Sequence, residues 1–451
     1  MSVLTSNKPI LKAYTKILPE HKGNRRIWID SSKVLATPIG KNLSYSYSYN
    51  EETKTLTLKS GKDDNRKVTL KKSGIPVIDI CNSEISKFYE GLEKVTIILY
   101  EDSITIEPLY EEMEQLRAKE KLDAEDITFV DIFSGTGTLS EAMKMGGMSL
   151  IAAVELEDKY LVNLERNNPN TFAYNTSVTD MDIRLLPDAV VAVAGIPCED
   201  YSIAGVSKKN SLGVCSREAG LTGSLGFYYL ESVKKIRPAA CVVEEVVGFA
   251  NSAMRNLIVS VLQMLGYTVT EKILKAHEYG GMTKRARYCM VATIKKTPFE
   301  FPEESGPKGK TVSSILEIPF NDRVWVNREN SRTMAYSLDK EQGHIKKGDG
   351  FRLARTYMND TITATITKGY YKQQLTNPIL VHPNDSTQFS WFTPRELARL
   401  NGLPDTFSFK EKEGVIVKTV AGELIGQGVA IEPFMAVSKK LTSFLRNSLI
   451  F

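Results

Sequence analysis

Between Ile127 and about Lys296 this chain alternates short, almost unbroken apolar runs with stretches of helical spacing. The apolar runs are "ITFVDIF", "SLIAAVE", "TFAYNTSV", "DAVVAVAG", "AACVVEEV", "YTVTEKIL" and "RYCMVATI". Between them lie "LSEAMKM", "KYLVNLERN", "FYYLESVKKI" and "AMRNLIVSVLQML". A strand with one wet face alternates apolar with polar residues, whereas strands this uniformly apolar need cover on both faces. The interposed helices supply that cover. The pattern predicts an α/β domain on a doubly wound, mostly parallel sheet.

The flanks have other rhythms. Residues 1–110 hold "RRIWID", "LSYSYSYN", "KTLTLKS", "RKVTLKK", "KVTIILYED" and "SITIEP". Period-two alternation with β-branched and aromatic residues, broken by Asn, Gly and Asp turns, predicts a β-rich accessory domain. The charged stretch at 111–126, "EEMEQLRAKEKLDAED", predicts a helical linker to the α/β domain at 127–296. Residues 297–390 lose the α/β rhythm around "KKGDGFRLARTYMND" and "TITATITKGYYKQQ", which predicts a smaller, irregular, loop-rich domain. Residues 391–451 regain helical spacing in "TPRELARLNG" and "LIGQGVAIEPFMAVSKKLTSFL" and are expected to pack back onto the α/β domain.

Composition removes several function classes. With 451 residues, 42% hydrophobic and 25% charged, the chain is globular and long enough for two or three domains. No run of about 18 apolar residues is present, so no membrane span is expected. The start lacks an apolar core with a small-residue cleavage site, so a cytoplasmic location is expected. The five cysteines form no C-x-x-C pair and the four histidines are far apart, which argues against a structural metal. The net charge of +4 falls on the first 110 residues, with 17 Lys+Arg against 13 Asp+Glu. That balance is compatible with a nucleic-acid partner without demanding one.

In an open α/β sheet ligands bind beyond the carboxyl ends of the strands. The first apolar run leads into "DIFSGTGTLSEA", where Gly135 and Gly137 let backbone approach a ligand at a helix start. The second ends in Glu155, placed to accept hydrogen bonds from ribose hydroxyls. The first loop has neither the G-x-G-x-x-G spacing nor a P-loop lysine. S-adenosylmethionine is therefore favoured over a nicotinamide or a triphosphate. The fourth run ends in "GIPCEDYS", with Cys198 where a strand hands over to a loop, and the fifth places Glu244 on the same rim. "TKRARY" adds Arg285 and Arg287, whose alternation predicts two guanidiniums on one face.

In these stretches the chain resembles the DNA cytosine-5 methyltransferases, from about Ile127 to the C-terminus and in that family's usual order. "FSGTG" looks like its cofactor loop, and "GIPCEDYS" its G-x-P-C-x-x-x-S nucleophile loop. "EEV" is similar to its E-N-V motif and "TKRARY" to its Q-x-R-x-R motif. "TPRELARLNGLPDTF" resembles the structural motif after its target-recognition region, and "IGQGVA" its closing G-N-x-V motif. The resemblance implies that the Cys198 thiolate adds to carbon 6 of cytosine, that Glu244 holds the base, and that Arg287, supported by Arg285, clamps it. It implies that Phe133 lies against adenine or ribose, with Ser134, Gly135 and Gly137 in the loop and Glu155 on the ribose. Ser177 aligns with the acid that reads the adenine amino group, with Asp180 and Asp182 as substitutes. Pro197, Leu225, Gln427 and Val429 complete the implied contacts.

The chain departs from the family at Glu245, Thr283 and Gln427, where E-N-V, Q-x-R-x-R and G-N-x-V have Asn, Gln and Asn. The implied partner is double-stranded DNA, with a cognate restriction endonuclease if the enzyme is of restriction–modification rather than phage type. The implied product is S-adenosylhomocysteine. The alternatives are an RNA cytosine-5 methyltransferase, a relative that uses another donor, and a catalytically silent DNA-binding protein. The first 110 residues resemble the small β domains of the AbrB/SymE type, which bind DNA or dimerise.

Overall fold

The computed structural model of this chain describes residues 14–62, 64–109, 112–113, 116–117, 121, 126–197, 225–372 and 376–447. It divides into two compact units, Met1–Arg117 and Ala118–Phe451. Most of the linker stretch at 111–126, expected to be helical, lies outside the described residues.

The second unit is built on seven strands: β1 (Thr128–Ile132), β2 (Ser149–Glu155), β3 (Phe172–Asn175), β4 (Val191–Gly195), β5 (Ala240–Glu245), β6 (Thr268–Lys275) and β7 (Ala286–Thr293). They form one sheet in the order β3-β2-β1-β4-β5-β7-β6. Every neighbouring pair is parallel except the two that β7 makes with β5 and β6. The central strands are short and small-residue-rich, and Val191–Ala194 are all buried, as a sheet covered on both faces requires. Helices α1 (Thr138–Met145), α2 (Asp158–Asn167), α3 (Leu225–Ile236) and α4 (Ala253–Met264) alternate with the strands. All seven apolar runs are strands and all four helical stretches are helices. The chain order reverses between β1 and β4, so the crevice for a ligand opens beyond the ends of those two strands.

The region after the sheet is more ordered than its sequence predicts. A 16-residue helix, α5 (Arg332–Lys347), packs against β8 (Ala354–Thr356), β9 (Pro378–His382) and β10 (Asp385–Ser390). These elements share a small core of Met334, Leu353, Ile379, Val381 and Phe389. The helix has both end signals: Ser331 accepts from the Met334 amide, and Gly348 closes it at φ +72°.

The chain then returns to the sheet domain through α6 (Pro394–Leu400), α7 (Lys418–Gln427) and α8 (Ile431–Arg446). The Ser438 hydroxyl of α8 donates to the Met143 carbonyl of α1 at 2.8 Å. Gly146 leaves the room for that approach, since a Cβ there would lie 2.1 Å from Ser438. Lys295, buried just past β7, donates to the carbonyls of Phe444 and Asn447 and so fixes the far end of α8.

The first unit is a β domain of a six-stranded and a four-stranded sheet. Strands Ser44–Asn50, Thr55–Lys59, Lys94–Leu99 and Ser103–Pro108 come from the runs the alternation marks. Its core includes Ile27, Ile29, Leu56, Leu58, Ile97 and Ile104. The strand Pro76–Cys81 and the short helix Ser83–Phe88 are additional. Among the described residues of both units, no single helix is long and apolar enough to cross a membrane.

Candidate active site

The loop after β1 is wound by three left-handed residues at alternate positions: Phe133 (φ +61°), Gly135 (+52°) and Gly137 (+77°). Glycine takes this conformation freely, but at Phe133 it costs about 1–2 kcal/mol, strain of the kind that gathers at functional loops. The wound backbone turns its amides back on the sheet. Ser134 donates to the Val154 carbonyl at 3.0 Å, and Gly135 donates to Oε2 of Glu155 at 2.7 Å. The Glu157 amide donates to Oε1 of Glu155 at 2.8 Å. Burial pushes the Glu155 carboxyl up and these amide bonds pull it back. Each carboxylate oxygen has two lone-pair positions, so Glu155 braces the loop and keeps acceptor capacity toward a ligand. Next to it stands Leu156, 61% exposed between two acidic residues. Sequence reasoning passed over this leucine, whose signal is an apolar side chain within "ELED".

Across the crevice, the sheet register sets Gly195 of β4 opposite Glu244 of β5, and Glu244 opposite Cys289 of β7. Arg287, two residues before Cys289, reaches Glu244 with an Nε–Oε1 distance of 2.8 Å. A Cβ at Gly195 would lie 3.4 Å from Oε2 of Glu244 and 3.7 Å from the Phe133 carbonyl oxygen. The glycine loop, the end of β4 and the end of β5 therefore meet in one small space. Burial pushes the Glu244 carboxyl up, and the guanidiniums of Arg287 and Arg285 pull it back. Such a group can hold a proton as an acid or release it as a carboxylate.

Arg285 is held differently from Arg287. It is buried and donates to the carbonyls of Ile366 and Gly426, each at 2.8 Å. Arg285 instead joins the small domain and α7 to the entry of β7.

The remaining positions divide. Pro197 is exposed just beyond β4, and Cys198 lies outside the described residues. Leu225 is half-buried at the start of α3. The Ser177 hydroxyl is 2.7 Å from that of Thr179. Asp180 accepts from Thr179, while Asp182 pairs with exposed Arg184, which holds its carboxyl down at about 2. Gln427 is the exposed last residue of α7. Val429 is buried, its amide donating to the Thr138 hydroxyl at 2.9 Å. Of the departures, Glu245 is buried and accepts from the Val246 amide at 2.7 Å. Thr283 is buried and bridges to Thr363. Among the described residues no group of His, Cys, Asp and Glu is arranged to hold a metal ion.

The arrangement has relatives. The type II methyltransferase M.DsaV of Dactylococcopsis salina is 24% identical over 72% of this chain and 88% of its own. M.NlaX of Neisseria lactamica is 25% identical over 70% and 96%. The structure of the Entamoeba histolytica methyltransferase EhMeth superposes with a TM-score of 0.54 at 18% identity, covering 72% of this chain and 99% of that one, which shows a shared fold. The family profile of C-5 cytosine-specific DNA methylases matches residues 127–443, the whole span from β1 to the last turn of α8. The chain belongs to that family and is a DNA (cytosine-5-)-methyltransferase.

Proposed function

We propose that this enzyme methylates carbon 5 of a cytosine flipped out of double-stranded DNA, through a covalent adduct with Cys198. The observation that carries the reading is Glu244, ion-paired to Arg287 and facing Gly195, two residues of chain from Pro197. Carbon 5 of cytosine is too electron-poor to attack a methyl sulfonium unaided. Addition of the Cys198 thiolate at carbon 6 makes the ring an enamine-like nucleophile. Glu244 holds ring nitrogen 3 and the amino group, offsetting the charge that develops there, and Arg287 keeps Glu244 in place. Bound at the glycine loop, S-adenosylmethionine supplies the electrophilic methyl group. Gly135 and Gly137 give the close approach, Glu155 the ribose acceptor and Leu156 an apolar contact. Carbon 5 takes the methyl group, loses its proton, and the carbon–sulfur bond breaks to return the thiolate. Flipping the base costs a few kcal/mol of stacking and pairing.

The test is a covalent trap. A duplex carrying 5-fluorocytosine, whose fluorine cannot leave as a proton does, should give a denaturant-stable adduct with the wild type and none with Cys198→Ser. No wild-type adduct, or one that persists in the variant, overturns the reading. An RNA substrate in the same assay should give none.

The small domain at 297–390 is proposed to read the DNA, with Arg332, Lys346, Lys347, Arg352, Lys368 and Lys372 all exposed. Three basic residues of that region are otherwise engaged: Arg323 with Glu396, Arg328 with Asp339 and Arg355 with Glu341. Protection of host DNA against a cognate endonuclease, as the type II names of the relatives imply for them, is the proposed setting. The first unit is proposed to add electrostatic DNA affinity. A chain starting near Asp123 should bind DNA more weakly with a shallower salt slope. An unchanged slope would leave dimerisation or a protein partner.

A further inference from the structure

We propose that the Thr138 hydroxyl is a positioning group that ties the α7–α8 corner to the glycine loop, so that both walls of the cofactor site form as one unit. This rests on the reading that the loop at 133–137 holds S-adenosylmethionine. The corner is short, from Gly428 at the end of α7 to Ile431 at the start of α8. Its backbone is buried and needs partners on both sides. Asn401 takes one side: its side-chain amide donates to the Val429 carbonyl at 2.6 Å, and its carbonyl accepts from Ile431 at 3.0 Å. Thr138 takes the other, accepting from the Val429 amide at 2.9 Å across 291 residues of sequence.

Gly428 records how close this approach is. Its φ of −68° is open to any residue, so conformation does not demand glycine there. Space does. A Cβ would lie 2.3 Å from Oγ1 and 2.7 Å from Cγ2 of Thr138, and 2.9 Å from Oγ1 of Thr136.

The glycine loop in turn lacks support of its own on this side. Gly137 begins α1 with no side-chain cap, and the loop carries a strained Phe133. Because Thr138 accepts from Val429, its own hydrogen is free for the Thr136 hydroxyl, 3.2 Å away. Thr136 sits between the two left-handed glycines. A line of polar contacts therefore runs from the corner through Thr138 into the middle of the loop, all of it buried. Losing the hydroxyl would leave the Val429 amide without an acceptor and let the loop relax away from the closing motif.

The experiment measures S-adenosylmethionine and S-adenosylhomocysteine binding by calorimetry, DNA binding by anisotropy at fixed salt, and melting temperature. Thr138→Val keeps the shape and removes the acceptor. It should raise both cofactor Kd values by about 5- to 20-fold while DNA Kd stays within about twofold. Thr138→Ser should restore wild-type cofactor affinity. Gly428→Ala should weaken cofactor at least as much as Thr138→Val, and adding Thr138→Ala should recover part of that loss by removing the colliding atoms. Wild-type cofactor affinity in Thr138→Val overturns the inference, as does failure of Thr138→Ser to restore it. A parallel fall in cofactor affinity, DNA affinity and melting temperature overturns it too, since that marks general loss of packing. If Thr138→Val does not fold, the serine variant and the Gly428 pair decide. A wild-type protein that does not bind S-adenosylmethionine overturns the proposed function instead.

Discussion

Two of the arginine–glutamate pairs in the second unit look alike in composition and differ in everything around them. Arg323 and Glu396 lie between the small domain and α6, with side chains 1% and 0% exposed. Both oxygens of Glu396 are spent on the fold: one takes the amides of Glu317 and Ile318 as well as Arg323, and the other takes the Thr393 amide. Arg323 also donates to the Trp391 carbonyl. Glu244 and Arg287, 13% and 19% exposed, are paired at the open end of the sheet. A carboxylate that holds a fold together spends its lone pairs on backbone. One that meets a ligand keeps some in reserve.

Removing Glu396 should break this contrast hardest. Glu396→Ala leaves the Arg323 guanidinium buried without a counter-charge and three amides without acceptors. The expected loss is about 3–5 kcal/mol of folding stability, read as a lower denaturant midpoint at unchanged slope. A midpoint within error of wild type would mean that the pair is no more structural than the one at the rim.

Glu244→Gln should do the reverse. It keeps the size and removes the ionisable carboxyl that would offset charge at ring nitrogen 3. Methyl transfer should fall roughly 100- to 1,000-fold in a single-turnover assay, with the denaturation midpoint close to wild type. If this variant instead unfolds as Glu396→Ala does, Glu244 belongs with the structural pair.

The two pairs also differ in how far sequence reveals them. Glu244 is legible because it ends an apolar run, and strand ends at a switch point are where ligands bind. Arg323 is not. A lone arginine in a polar stretch reads as solvated, and its burial depends on Glu396 arriving from 73 residues later. The same limit explains Arg285, whose partners are the carbonyls of Ile366 and Gly426, groups that carry no residue identity. Strands β1, β4, β5 and β7 are readable because burial on both faces leaves little choice of residue, whereas the edge strands β3 and β6 are only partly buried. Helix α5 had its Ser331 and Gly348 end signals, but its exposed face, with Tyr336, Lys340 and Lys347, hides the apolar stripe of Met334 and Leu338.

Asp131 falls between the two kinds of carboxylate, and its titration should show which it resembles. It lies within β1, fully buried, with one oxygen accepting from the Ser140 hydroxyl of α1. Its other oxygen, Oδ1, has no hydrogen-bond partner among the described residues. Burial pushes its carboxyl up to about 7, the Ser140 bond pulls it down, and the carboxylates of Glu155 at the end of β2 and Glu244 at the end of β5 push it further up. The folded protein thus holds a proton that the unfolded chain releases near pH 4. The stability this proton brings is complete below that value and is lost as pH rises through about 7. Between pH 6 and pH 8 the wild type should lose on the order of 1 kcal/mol from this group alone. Asp131→Asn accepts from Ser140 as before but cannot titrate, so its stability should be flatter over the same range. Glu155 and Glu244, also raised by burial, remain in both proteins and largely cancel in the difference. Parallel stability–pH curves for wild type and Asp131→Asn would mean that the fold does not hold a proton on Asp131.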